Sequence, residues 1–467
     1  MIRNIIPTSS IFKSYDIRGI YPDEINEDNI YLITQSILKF FQDQAKNTNV
    51  KVGVSHDMRL SAPKLYPGAL QALKDGGACV WNFDLLSTPT FYFAVSHNNL
   101  PFGFILSASH NSPRYTGFKI VTNINNKIIK VGKNSGLDTI KKYSISGLKN
   151  KHTGGVIIER ESILKDEVDS ALSKVDISKI KPIKIVVDAA NAMGSLYIEE
   201  LFSRLPCKLV KMNFNLDGSF PAHDPNPLVD KNLIDVRKKV VEVGADLGIA
   251  PDGDGDRIIF IDENGEKIPA SFLGSLIIKK LLQRYKGATI MFSVTEILTP
   301  RSITEEMGGK FIITPVGHTH ITNLMHQSNA LFAGEISGHY FFKDTGGTES
   351  GVFTIVNVLE ILSSLAKPIS QLIHDVRRSF ASGEYNFSTD KADIIMERLK
   401  SDYKSGSLMT IDGIAVDYPT WRFSVRSSNT EPLIRLNVEA RTQEGMKVKL
   451  NELINKIKAL GAKKHND

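Results

Sequence analysis

Cysteine is scarce: only Cys79 and Cys207 occur in 467 residues. So few thiols, so far apart in sequence, exclude a disulfide framework or a Cys-rich metal site. They read instead as two reduced core thiols in a cytoplasmic protein. Long hydrophobic runs are missing too. The best apolar stretches, 270–282 and 352–365, are interrupted by Lys279, Lys280, Asn357 and Glu360 and are too short for a bilayer helix, so no membrane partner is expected. The opening MIRNIIPTSSIF lacks an apolar core followed by a small-residue cleavage site, and no secretory leader is expected. Charge of one sign is not concentrated either. The formal net charge is +6, with Lys and Arg dispersed and no basic block interleaved with aromatics, which argues against nucleic acid. A mild positive excess is compatible with a small anionic substrate.

What is present is the composition of a soluble globular protein, 42% hydrophobic and 23% charged. The length calls for several domains. Apolar residues recur at helical spacing over 29–41, 51–55 (KVGVS) has the composition of a buried strand, and 61–74 reads as a helix with Pro63 in its first turn. Strands follow at 79–83 and 103–106. The strand–helix alternation restarts at 184–188 (KIVVD) and again at 287–293 (GATIMFS), giving three similar α/β units with junctions near 158 and 266. The last ninety or so residues differ: strands at 411–415, 421–426 and 432–439 joined by short turns, then a helix over 442–459, read as a smaller α+β domain. The expected boundaries are 1–158, 159–266, 267–378 and 379–467.

Several segments carry chemistry. The stretch 106–119, LSASHNSPRYTGFK, sets Ser109 beside His110, Asn111, Arg114 and Lys119 at the end of an apolar run, where a serine could carry a phosphoryl group. The heptapeptide 251–257, PDGDGDR, alternates Asp252, Asp254 and Asp256 with glycines between two apolar segments. Three converging carboxylates without His or Cys favour a hard cation such as Mg²⁺ over a bare hairpin turn. Glu335, Ser337 and His339 in GEISGH offer an acceptor, a hydroxyl and an imidazole suited to sugar hydroxyls and proton transfer. RSSNT at 426–430 is a hairpin loop that could equally be an anion-binding turn, with Arg426 gripping phosphate and Ser428 and Thr430 donating hydroxyls. Arg18 in YDIRG and His318 in VGHTHI are weaker candidates. Asp57 and Arg59 in HDMRLS read as a surface ion pair, and His320 as an ordinary satisfied histidine.

Taken in order, YDIRG at 15, SASHNSPRYTGFK at 107, DGSFPAHDPNP at 217, PDGDGDR at 251, VGHTHI at 316, GEISGH at 334 and VDYPTWRFSVRSSNT at 416 resemble the α-D-phosphohexomutase superfamily. Within it they resemble the bacterial phosphomannomutase/phosphoglucomutase group, over nearly the whole chain. The resemblance implies four domains around a central cleft, three α/β with mixed sheets and a last α+β, each supplying one motif. It implies reversible phosphoryl transfer between C6 and C1 of a hexose, with phosphorylated Ser109 and a glucose or mannose 1,6-bisphosphate as intermediate and activator. Mg²⁺ would sit on Asp252, Asp254, Asp256 and a phosphoserine oxygen of Ser109. Lys119 and His339 would handle protons, with Arg18, His110 and Arg257 completing the catalytic set. Tyr15, His318, Glu335, Ser337, Gly338, Arg426, Ser428, Asn429 and Thr430 would bind a hexose phosphate, the expected partner of a monomer or weak dimer.

Some positions depart from the family pattern. Ser112 and Thr116 stand where Pro and Asn are usual, and Ser293-Val294-Thr295 replaces an Asp-Val-Lys segment, so a substrate-facing lysine is missing; nearby Arg301 is no more than a guess at a substitute. Two alternatives remain. A phosphoglucosamine mutase usually carries Gln at the position of Ile336, and a catalytically silent sugar-phosphate-binding protein is supported only by the missing lysine.

Overall fold

The computed structural model describes residues 5–148, 154–427 and 432–465. The chain forms two compact units: one runs through Ile268 and takes up Ser337–Ser370, the other holds Pro269–Ile336 and everything from Gln371 onward.

The first unit is built on two sheets with the same plan. In one, the parallel strands Cys79–Leu85, Lys51–His56 and Phe102–Leu106 lie side by side, and Tyr115–Ile124 joins antiparallel to the last. In the other, Lys208–Met212, Lys184–Asp188 and Leu247–Pro251 are parallel, and Ile258–Ile261 joins antiparallel in the same place. Burial on both faces explains the near-continuous apolar strands: Phe102–Leu106, Leu247–Pro251 and Ile258–Ile261 are buried throughout. The helices Ile30–Ala45 and Ala62–Asp75 pack on the first sheet through Ile33, Ile37, Phe41, Leu65 and Ala69.

This plan fixes where chemistry can occur. In each sheet the chain turns once from the carboxyl end of a parallel strand into an antiparallel neighbour, the crevice end of an open α/β sheet. The first such turn carries Ser109 and the second carries Asp252, Asp254 and Asp256. The loop 335–339 occupies the corresponding place in chain order, between strands Phe332–Gly334 and Tyr340–Phe342.

The second unit holds the parallel strands Lys310–Thr314, Thr289–Ser293 and Phe332–Gly334. It also holds an antiparallel sheet in the order Ser407–Met409, Ile414–Asp417, Trp421–Ser427, Leu433–Ala440, Tyr385–Ser388, Lys463–Lys464. The helices Ala392–Asp402 and Gln443–Ala459 cover that sheet through Ile395, Leu399, Leu453 and Ile457. The expected α/β and α+β classes are therefore both present.

Two expectations need correction. The strand placed at 411–415 begins only at Ile414, because Asp412 and Gly413 make a turn with Gly413 at φ +69°. The cysteines are not core thiols: both are free but half-buried, Cys79 at the start of its strand and Cys207 in the loop after Pro206. Among the described residues no single helix is long and apolar enough to cross a membrane.

Candidate functional site

Ser109 is 4% exposed and has a left-handed backbone, φ +52°, unusual for a residue with a side chain. Its N–H donates to Ser107 Oγ at 3.1 Å, and its own Oγ donates to Asp252 Oδ2 at 3.2 Å and lies 3.1 Å from His110 Nδ1. Two loops from different sheets thus meet at the serine hydroxyl. Gly253 lets them meet: a Cβ there would sit 2.5 Å from the Ser109 carbonyl oxygen.

The three aspartates are buried, and one oxygen of each lies within 4.8 Å of the others. Asp252 Oδ1 accepts the N–H groups of Gly255 and Arg257 at 3.0 and 3.2 Å. Lys119 Nζ donates to Asp254 Oδ2, and to Asp256 Oδ2 at 2.6 Å. Burial lowers the affinity of Lys119 for its proton, but Asp254 and Asp256 outweigh it and hold the ammonium well above the ordinary lysine value. Asp252 shows the reverse: burial first, then the charges of Asp256 and Asp254, push its carboxyl up. Asp254 Oδ1 is buried with no hydrogen-bond partner. Crowded carboxylates with an unpartnered oxygen and only oxygen donors fit a hard divalent cation.

A second cluster shows what a satisfied arrangement looks like. Asp256, His339 and Glu349 also place ligand atoms within 4.8 Å of one another, but Lys130 Nζ sits 2.5 Å from both Glu349 oxygens and supplies the counter-charge.

His339 Nδ1 lies 2.8 Å from Ser337 Oγ, while Nε2 lies 3.2 Å from Asp256 Oδ1 and accepts from Arg257 Nε at 3.4 Å. Gly338, at φ +85°, accepts the Ile258 N–H through its carbonyl at 3.0 Å, which seats this loop on the strand that follows the aspartates. The charge of Arg257, then burial, then Arg18 hold His110 well below the usual histidine value, so it is neutral beside Ser109. Arg18 donates to Asn111 Oδ1 at 2.7 Å and pairs with Asp16. Tyr15 is half-buried in the bend just before. The structure thus gathers Ser109, His110, Lys119, the aspartates, Arg257, Ser337 and His339 in the first unit.

In the second unit the Gly317 N–H, just before His318 at a helix start, donates to Glu335 Oε1 at 2.9 Å, which brings those two candidates together. Arg426 Nη2 donates to Glu384 Oε2 at 3.0 Å, and its cross-strand neighbour Arg435 reaches the other oxygen at 3.0 Å. Glu384 and Arg435 escaped sequence reading, since the hairpin register brings Arg435 beside Arg426 and Glu384 comes from 42 residues away, just before the strand Tyr385–Ser388. Ser428, Asn429 and Thr430 lie outside the described residues. Thr295 is 1% exposed with Oγ1 3.2 Å from Ser293 Oγ, so the position of the missing lysine faces inward; Arg301 pairs with Asp417 at 3.0 Å.

The surface reading of Asp57 and Arg59 is wrong. Both are 1% exposed, and the Arg59 guanidinium is spent on backbone carbonyls of the Ser109 loop. Partners some fifty residues away in sequence leave no local signal.

A buried serine facing three carboxylates and a lysine is equipment for phosphoryl transfer. The comparisons agree. Family models for phosphoglucomutase/phosphomannomutase match in series: α/β/α domain I over residues 9–142, domain II over 166–265, domain III over 270–380 and the C-terminal domain over 388–455. A phosphomannomutase of Methanocaldococcus jannaschii is 34% identical over 455 residues, 97% of this chain and 98% of that protein. A phosphomannomutase/phosphoglucomutase of Pseudomonas syringae pv. tomato is 35% identical over 94% of this chain and 93% of its own. The crystal structure of a phosphoglucomutase/phosphomannomutase family protein from Burkholderia thailandensis superposes with a TM-score of 0.88 at 29% identity, covering 98% of this chain and 99% of that one. The chain belongs to the phosphoglucomutase/phosphomannomutase family and is a phosphohexomutase, an isomerase.

Proposed function

We propose that this enzyme interconverts hexose 6-phosphates and hexose 1-phosphates of glucose and mannose through a phosphorylated Ser109 and a hexose 1,6-bisphosphate. The observation that carries this reading is the Ser109 hydroxyl, held 3.2 Å from Asp252 in the cluster that Lys119 neutralises. In the forward half, the bond between phosphorus and Ser109 Oγ breaks as a free sugar hydroxyl forms the new P–O bond; the sugar hydroxyl proton passes to His339, and the departing Ser109 Oγ takes a proton from the Lys119 ammonium. In the return half, the bisphosphate has turned over and its other phosphoryl group moves to Ser109, whose hydroxyl proton returns to Lys119 while His339 gives its proton to the sugar oxygen left behind. Lys119 as the ammonium also offsets charge on the moving group, with Arg257 and His110 as further electrostatic partners. Asp252, Asp254 and Asp256 would hold Mg²⁺, which when bound supplies charge neutralisation and orientation to the phosphoryl group.

Glu335 and Ser337 would hold O3 and O4, so that turning the ring over leaves the grip intact. His318, Tyr15 and Gly338 are the further substrate-binding candidates. Arg426 and the 428–430 loop would hold the phosphate that is not reacting. We place the domain boundaries at 158, 266 and 378.

The test is an assay on glucose 1-phosphate, mannose 1-phosphate and glucosamine 1-phosphate with Mg²⁺ and a trace of glucose 1,6-bisphosphate. It is run alongside intact-mass measurement of Ser109 phosphorylation. Ser109→Ala should lose the phosphate and lower turnover by at least about 10³-fold. A variant that keeps full mutase activity overturns the reading.

A further inference from the structure

We propose that Arg59 is the positioning residue that sets Ser109 for phosphoryl transfer; this rests on Ser109 being the phosphoryl carrier. Arg59 is among the largest fully buried side chains of the protein. Its Nη1 donates to the carbonyls of Ser112 and Tyr115 at 2.8 and 3.0 Å, and its Nη2 to those of Ser109 and Asn111 at 2.7 and 2.6 Å. Three of the four acceptors belong to the turn that carries the serine, and the fourth, Tyr115, opens the strand into which that turn leads. One planar fork therefore gathers the turn from behind, a task that needs the fixed geometry of a guanidinium and that a lysine cannot reproduce.

The neighbours of Arg59 hold it in place. Asp57 Oδ1 accepts the Arg59 N–H at 3.0 Å, and Asp57 Oδ2 lies 3.4 Å from Arg59 Nε and supplies the counter-charge. The ring of Phe220 covers the guanidinium, its centroid 5.5 Å from Cζ. Gly218 allows that approach, since a Cβ there would lie 2.7 Å from the Met58 carbonyl and the Leu60 nitrogen. The same segment reaches the aspartate loop, where the Pro225 carbonyl accepts the Gly253 N–H at 3.1 Å. Hence the DGSFPAHDPNP stretch, which the proposed chemistry leaves without a role, clamps Arg59 on one side and the metal loop on the other.

The left-handed backbone of Ser109 is strained, and the surroundings must hold it there. With its carbonyl drawn to Arg59 and its hydroxyl to Asp252, the residue is held at both ends. Arg59 makes its side-chain hydrogen bonds to backbone carbonyls and not to the Ser109 hydroxyl or to Asp252, Asp254 or Asp256; it acts through the direction of the Ser109 side chain. A displacement of about 1 Å at such a centre costs on the order of 10²-fold in rate.

The experiment compares Arg59→Lys, Arg59→Gly and Phe220→Leu with the natural protein. It reads kcat and KM for hexose 1-phosphate, thermal unfolding, and the extent of Ser109 phosphorylation by glucose 1,6-bisphosphate. Arg59→Lys should lower kcat on the order of 10²-fold while KM stays within about threefold, with slower phosphorylation of Ser109. Arg59→Gly should be rescued in part by millimolar ethylguanidine and not by ethylamine. Phe220→Leu, which keeps every hydrogen bond, should show the same kcat-selective loss at about threefold to tenfold. If Arg59→Gly does not fold, the other two variants decide. Arg59→Lys with kcat within about twofold of the natural protein overturns the proposal, as does a loss that merely tracks the unfolded fraction. Failure of the natural protein to become phosphorylated on Ser109 would instead overturn the functional reading on which it rests.

Discussion

Each compact unit of the molecule buries a knot of charge, and the two are tied differently. In the second unit Glu439 accepts the N–H groups of Ile297 and Leu298 at 2.7 and 3.1 Å, the Ser379 hydroxyl at 3.4 Å and Arg422 Nη1 at 3.3 Å. Arg422 also donates to Asp417 at 2.8 Å and to the Val294 carbonyl at 2.7 Å. Both Glu439 oxygens are used, by donors that start the helix Leu298–Glu306 and by a strand neighbour. In the first unit Lys119 pairs with two of the three aspartates, Asp254 and Asp256, and among the described residues Asp254 Oδ1 has no donor. A carboxylate closed by protein donors holds the fold together; a carboxylate left open keeps a place for something that arrives from solution.

Substitution in the open knot should cost activity and spare the fold. Asp254→Asn keeps the size of the side chain, removes one of three crowded charges and leaves Lys119 its bond to Asp256. Turnover should fall by about 10³-fold, on the order of 4 kcal/mol of transition-state stabilisation, while thermal unfolding without divalent cations is unchanged or shifted upward. In the natural protein Mg²⁺ should raise the unfolding temperature, and in the variant that rise should shrink. An equal loss of stability and activity would show that the first knot is structural as well.

The closed knot should behave in the opposite way. Every named partner of Glu439 is a donor, so the amide nitrogen of Glu439→Gln must face one. The expected cost is about 3 kcal/mol or more of stability, read by urea unfolding, with kcat per folded molecule nearly unchanged. A selective loss of kcat with normal stability would erase the contrast between the two regions.

The sequence showed the open knot more readily than the closed one. The strand–helix rhythm, the strand Lys184–Asp188 to the residue, and the loops holding Ser109 and the aspartates were all legible, because periodicity and local composition encode them. What stayed hidden depends on register between distant segments. Lys119 meets Asp254 and Asp256 across 135 and 137 residues, and Arg422 meets Val294 across 128. Arg59 looked like half of a surface pair because Asp57 stands two positions away, whereas its carbonyl partners lie beyond any sequence window. The Ser293-Val294-Thr295 segment read as a lost lysine. In the fold that backbone supports the closed knot, for the Val294 and Thr295 carbonyls accept from Arg422 at 2.7 and 3.4 Å.

Glu167 represents a third way of burying charge, and the smallest effect that sharpens the comparison. Its side chain is 1% exposed and accepts the Thr90 hydroxyl at 2.7 Å and the Ser350 hydroxyl at 3.4 Å, and among the described residues it makes no ion pair. Burial pushes its carboxyl up from 4.5 to about 7, against the two hydroxyls. The folded protein therefore binds this proton more tightly than the unfolded chain. The resulting stabilisation is complete below about pH 4.5 and is lost as pH rises from there through about 7, about 3 kcal/mol in all. Glu167→Gln keeps a carbonyl acceptor for Thr90 and presents an NH₂ group that the Ser350 oxygen can accept, without a proton to lose. Urea unfolding between pH 4.5 and 8 should give nearly equal stabilities for the two proteins at the acid end. Toward the alkaline end the variant should gain steadily, by about 3 kcal/mol. Parallel profiles across that range would place a counter-charge near Glu167 and return it to the closed kind of knot.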